Sequence, residues 1–187
     1  MEAFLVSSGV VALAEIGDKT QLLALVLAAR YCKPIPIIAG ILVATLLNHA
    51  AAAAVGTLLA QVIGADALRW VLGLSFIAMG LWLLVPDRYD DEPRTAPGYG
   101  IFVTTLIAFF LLEIGDKTQI ATVALAAHYE SLTAVVLGTT LGMMLANVPA
   151  VLLGEVATRK LDMRIVHVIA AALCVGIGVL ALAGVSL

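Results

Sequence analysis

The chain has 187 residues, 63% of them hydrophobic and only 12% charged, with a net charge of −3 and a mean hydropathy of +1.11. A soluble domain is closer to half apolar and a quarter charged, so this composition excludes an ordinary soluble core and predicts a polytopic membrane protein. The small net charge says nothing about nucleic acid, but the absence of a basic patch interleaved with aromatics argues against binding it, and Cys32 and Cys174 lack metal-ligand spacing and fix no redox compartment.

A membrane span needs about 20 largely apolar residues, and the chain supplies six such runs. The first covers about residues 4–29; Met1-Glu2 brings no Lys or Arg ahead of it, so it reads as a span and not as a cleavable signal. A short turn at Arg30–Pro34 leads to the second span, about 35–63, with Asn48 and His49 near its middle. Gly64-Ala65-Asp66 turns the chain into the third, about 67–85. Residues 87–98 then form a Pro- and Asp-rich hydrophilic linker. The fourth, fifth and sixth spans follow at about 99–127, 132–157 and 165–185, with Pro149 expected to kink the fifth.

Within the first run stands Glu15-Ile16-Gly17-Asp18-Lys19-Thr20-Gln21, and within the fourth the same seven residues recur as Glu113-Ile114-Gly115-Asp116-Lys117-Thr118-Gln119. A shift of 98 positions that superposes them also places Tyr31 on Tyr129, Gly40 on Gly138, Gly56 on Gly154 and Gly80 on Gly178. The predicted fold is therefore all-α and integral to the membrane: six transmembrane helices in two repeats, residues 1–86 and 99–187, joined by the linker 87–98. Each repeat has three spans, so the second enters from the opposite face and the repeats are inverted. Arg30, Lys33, Arg88, Arg94, Arg159, Lys160 and Arg164 fall on one side and only Arg69 on the other. The positive-inside rule makes the first side cytoplasmic and both termini external.

A charge at the bilayer centre costs from roughly 2.5 to above 10 kcal/mol, so intramembrane acids mark function. On a continuous helix Glu15 and Asp18 share a face, Lys19 lies one turn from Glu15, and Gln21 extends the stripe; Glu113, Asp116, Lys117 and Gln119 repeat it. Thr20 and Thr118 can bond a carbonyl one turn back or face the site. Inverted repeats bring equivalent helices together at the midplane, which predicts one site built from Glu15, Asp18, Glu113 and Asp116. Its donors are all oxygen, which suits Mg²⁺, Ca²⁺ or Mn²⁺ and disfavours zinc or copper. Four carboxylates and two lysines sum to −2, which one divalent cation neutralises. Crowded carboxylates also hold protons when the metal is absent, and metal in with protons out is exchange chemistry.

The doubled Glu-x-Gly-Asp-Lys-Thr signature resembles the Gdt-type family of cation/proton exchangers, that of transmembrane protein 165 (uncharacterised protein family 0016), whose bacterial members include the MneA-type manganese exporters. The resemblance covers essentially the whole chain. It implies a cation/proton antiporter of the bacterial inner membrane that exports Mn²⁺, and possibly Ca²⁺, as its transported substrate, with the motif acids binding ion and protons and no separate cofactor. Only the central loop, short here, departs from its relatives.

Plainer readings stand beside these. The acids could be structural ion pairs, Glu15 with Lys19 and Glu113 with Lys117. Gln21 and Gln119 could be ligands or interhelical glue. Asn48 could complete the site; Asn147 falls on His49 under the shift, and His49 reads as structural. The acidic cluster Asp87, Asp90, Asp91 and Glu92 reads as solubilising. The rival functions are a cation channel lined by acid rings and a six-helix exporter of amino acids or organic cations. No nucleophile–base pair or His-Glu-x-x-His spacing points to an enzyme.

Overall fold

The computed structural model describes residues 1–85, 100–153 and 163–184. The linker 87–98 with its acidic cluster, and Arg88, Arg94, Arg159 and Lys160 of the orientation argument, lie outside them. The described residues form eight helices: α1 Glu2–Glu15, α2 Lys19–Tyr31, α3 Pro34–Val62, α4 Ala65–Leu83, α5 Ile101–Glu113, α6 Lys117–His128, α7 Leu132–Leu153 and α8 Met163–Leu182. The fold is all-α.

The continuous first and fourth spans expected from hydropathy do not form. Each is two shorter helices, α1–α2 and α5–α6, broken inside the motif. The cause is local. Gly17 and Gly115 take φ of +82° and +78°, a conformation that ends a helix and that glycine adopts without a Cβ clash. Asp18 and Asp116 follow in extended conformation as the N-caps of α2 and α6, a position where Asp is favoured. α3, Asp66–Leu83 of α4 and α7 are each long and apolar enough to cross a membrane. Pro149 lies inside α7.

The packing exchanges the halves. α1 lies along α7 and α5 along α3, while α4 and α8 pack on each other and α3 also meets α6 and α7. The contacts are reciprocal under the 98-residue shift. A Cβ on Gly40 would meet the Phe102 carbonyl oxygen at 2.9 Å and Thr105; a Cβ on Gly138 would meet the Phe4 carbonyl oxygen at 2.5 Å and Ser7. Small residues at both places let the backbones approach this closely. Two apolar clusters flank the centre, one holding Leu27 and Ile37 of the first half, the other Leu125 and Val135 of the second.

The polarity of the molecule is inverted relative to a soluble protein. Leu47, Leu58, Leu137, Leu145 and Leu173 are exposed, whereas Glu15, Asp18, Asn48, Glu113, Asp116, Lys117 and Asn147 are buried. Polar groups inside and leucines outside suit a bundle whose solvent is lipid.

Candidate metal centre

The two broken helices build the centre. α1 ends at Glu15, Ile16 is extended (φ −64°, ψ 118°), Gly17 reverses its φ, and Asp18 begins α2. The second copy repeats this geometry, with Ile114 at φ −62°, ψ 118°. Seven identical residues dictate the same local backbone twice. The break frees backbone polar groups, which a membrane protein must satisfy from within. The glutamines do this: the Gly17 N–H donates to Gln21 Oε1 at 2.9 Å, and the Gly115 N–H donates to Gln119 Oε1 at 2.7 Å. Gln21 Nε2 also donates to the Ala146 carbonyl of α7 at 3.0 Å. These glutamines brace the break.

The break also changes who faces whom. Glu15 and Asp18 do not share a helix face, because Asp18 belongs to the next helix. Nor do the ion pairs Lys19–Asp116 and Lys117–Asp18 join either lysine to the glutamate of its own motif, the plainer reading of the motif acids. Lys117 Nζ donates to Asp18 Oδ1 at 2.8 Å, and Lys19 Nζ lies 3.0 Å from Asp116 Oδ1. Each lysine crosses to the aspartate of the other half, since the turn at glycine carries it away from its own glutamate.

Glu15, Asp18 and Asp116 each bring a carboxylate oxygen within 4.8 Å of the others, and all are buried. Oxygens bound to one hard cation at about 2.0–2.6 Å lie at most about 5 Å apart, so three acids drawn from both motifs stand at metal-ligating separation. Glu113, expected as the fourth member, is not in this group. It accepts from Thr45 Oγ1 at 2.7 Å and from Asn48 Nδ2 at 2.9 Å. The Asn48 amide also reaches the Phe110 carbonyl at 3.1 Å. In the other half, Asn147 Nδ2 donates to Glu15 Oε1 at 3.3 Å and to the Met143 carbonyl at 3.1 Å. The structural counterpart of Asn147 is thus Asn48 and not its neighbour His49, one residue off the 98-residue shift that Gly40 and Gly138 obey on the same two helices. His49 is buried, and its ring nitrogens have no hydrogen-bond partner among the described residues.

The threonines divide. Thr118 donates its hydroxyl to Asp116 Oδ2 at 3.3 Å, whereas Thr20 is buried and its hydroxyl meets no partner among the described residues. Two residues at the centre carry no sequence signal. Thr45 lies one turn before Asn48 in an apolar run. His167 of α8 places Nε2 2.9 Å from the Ile16 carbonyl, inside the first break. Under the 98-residue shift position 167 falls on Arg69, so the repeat does not mark it. The second break is more open: Ile114 and Gly115 are exposed, Ile16 and Gly17 only half so.

Comparison with known proteins agrees with this chemistry. The family model described as "Divalent cation/proton antiporter GDT1" matches residues 3–91 and 101–186. A "Putative manganese exporter" of Vibrio cholerae is 52% identical over 174 residues, spanning 92% of this chain and 86% of its own length. A "GDT1-like protein" of Synechocystis is 28% identical over 193 residues, 90% of this chain and 91% of its own length. "GDT1-like protein 3" of Oryza sativa subsp. indica is 26% identical over 204 residues, 95% of this chain and 72% of its own length. No solved structure matches the chain. Two motif-bearing broken helices, a buried three-carboxylate centre and a family match over nearly the whole sequence lead to one conclusion: the chain belongs to the GDT1 family of divalent cation/proton antiporters.

Proposed function

We propose that this chain exports Mn²⁺ from the cytoplasm across the bacterial inner membrane in exchange for protons, by alternating access between two inverted three-helix halves. The observation that carries this reading is the meeting of Glu15 and Asp18 from one motif with Asp116 from the other at 4.8 Å or less. A site shared between halves changes its access when the halves rock against each other. The reciprocal contacts of Gly40 with α5 and of Gly138 with α1 support that relation. The name of the Vibrio cholerae relative supports Mn²⁺ as cargo, and Ca²⁺, which takes the same oxygen donors, is the second candidate. Glu15, Asp18 and Asp116 bind the ion, and the glutamates Glu15 and Glu113 take up the protons when it leaves. Asn48 and Asn147 hold the glutamates, Gln21 and Gln119 hold the breaks, and Thr118 orients Asp116. Both termini lie outside the cytoplasm, and a reporter fused at either end is expected to give an external signal.

The test uses proteoliposomes of the full chain with a pH dye trapped inside. Mn²⁺ added outside is expected to alkalinise the lumen as protons leave. Metal entry without proton movement would mean a channel, and no metal movement would reopen the organic-cation exporter.

A further inference from the structure

The aspartates of the candidate site already carry cations. Lys117 holds Asp18 at 2.8 Å and Lys19 holds Asp116 at 3.0 Å. Both aspartates belong to the three-carboxylate group. Each lysine comes from the opposite half, so the two pairs lace the halves together. Removing one partner of a buried ion pair leaves an uncompensated charge, and that is strongly unfavourable. An ammonium bonded to a carboxylate and a divalent ion bound to the same carboxylate repel each other at close range. Metal and lysine therefore compete for Asp18 and Asp116.

We propose that Lys117 and Lys19 are tethered counter-cations, which neutralise Asp18 and Asp116 in the metal-free carrier and are displaced when a divalent cation enters. This rests on the transport reading above. The lysines then have two effects. They lower the apparent affinity for metal, because the ion must displace a cation that is always present. They also let the empty site change its access without bare aspartates facing each other in a medium of low dielectric. The two are not equivalent. The Lys117 side chain is only 4% exposed and that of Lys19 is 26% exposed. Lys19 can swing toward a polar boundary when displaced, whereas Lys117 has to stay inside, so Lys117 is the stronger competitor.

The experiment separates two modes of the reconstituted full chain. Exchange of radioactive Mn²⁺ for Mn²⁺ trapped inside needs only the loaded carrier. Net Mn²⁺ uptake into metal-free vesicles also needs the empty carrier to return. In Lys117→Gln, Mn²⁺ is expected to bind about tenfold tighter, since the competing state is removed. Net uptake is expected to fall about tenfold while exchange stays near wild type, and Lys117→Arg, which keeps the charge, restores net uptake. Lys19→Gln shows the same split to a smaller degree and decides the matter by the same criteria if Lys117→Gln does not fold. Unchanged or weaker Mn²⁺ binding in the glutamine variant, or net uptake and exchange falling together with no rescue by arginine, overturns the counter-cation role alone. Wild-type protein that neither binds nor moves Mn²⁺ overturns the transport reading, and this inference with it.

Discussion

The side-chain amide of Asn147 donates to Glu15 Oε1 at 3.3 Å across 132 residues of sequence. It is the only hydrogen bond to the Glu15 carboxylate among the described residues, because Oε2 has no partner. Glu113 is held by two donors, one on each oxygen. The two motif glutamates, identical in local sequence, are thus tied down unequally. The less restrained one, Glu15, is the one that joins the aspartates.

That inequality predicts a split between the glutamates. Glu15→Gln and Glu113→Gln are each expected to abolish proton-coupled Mn²⁺ transport while the protein stays folded and monodisperse. Only Glu15→Gln removes a member of the three-carboxylate group, so calorimetric titration should show Mn²⁺ binding weakened far more by it than by Glu113→Gln. Wild-type flux in either variant would contradict a site shared by both halves.

The asparagines give a second test. Losing the donor to a buried carboxylate costs about 1–3 kcal/mol. Asn147→Leu is expected to raise the KM for Mn²⁺ about tenfold, as Glu15 loses the bond that orients it. Asn48→Leu should act mainly on stability, since Glu113 keeps Thr45 while the Phe110 carbonyl at the end of α5 loses its donor. Thermal unfolding in detergent, measured beside transport, distinguishes the two.

The broken helices depend on two positive-φ glycines. Nothing lies within 4 Å of a Cβ built on Gly115, so alanine there meets no obstacle except its own backbone conformation. Left-handed backbone at a non-glycine residue costs about 1–3 kcal/mol. Gly115→Ala, and Gly17→Ala likewise, should lower the melting temperature and slow transport. Gly9→Ala is the control. It lies within α1 with open space around it, and alanine in a helix interior is better than glycine by roughly 0.5–1 kcal/mol, so the melting temperature should hold or rise.

His167 links α8 to the first break. The Ile16 carbonyl can only accept, so the bond requires the ring proton on Nε2. His167→Leu removes a bond worth about 1 kcal/mol. Amide hydrogen exchange around Gly17 should then quicken about fivefold, with the exchange around Gly115 unchanged. Equal acceleration at both breaks would show that the histidine acts on the bundle as a whole.

Hydropathy and repetition made much of this legible. The α3 and α7 spans fall where the apolar runs put them, and the duplicated motif pointed to buried acids from both halves. The breaks were also written in the chain, as glycine followed by an aspartate N-cap, but the long apolar run around each motif outweighed that two-residue signal. The partners of the lysines were not legible at all. Both motifs are identical, so Lys19 reads equally well beside Glu15 or Asp116, and only the packing of α1 and α2 against α5, α6 and α7 separates the choices. Thr45 and the one-residue offset that selects Asn48 over His49 depend on how α3 lies along α5. What the sequence by itself determined is the class of protein, the duplicated acids and the local backbone around them, because hydropathy and glycine stereochemistry act within a few residues. Which side chains meet across the halves was decided only by tertiary structure, because contacts between residues about 100 positions apart depend on helix register, and register is a property of the packed bundle.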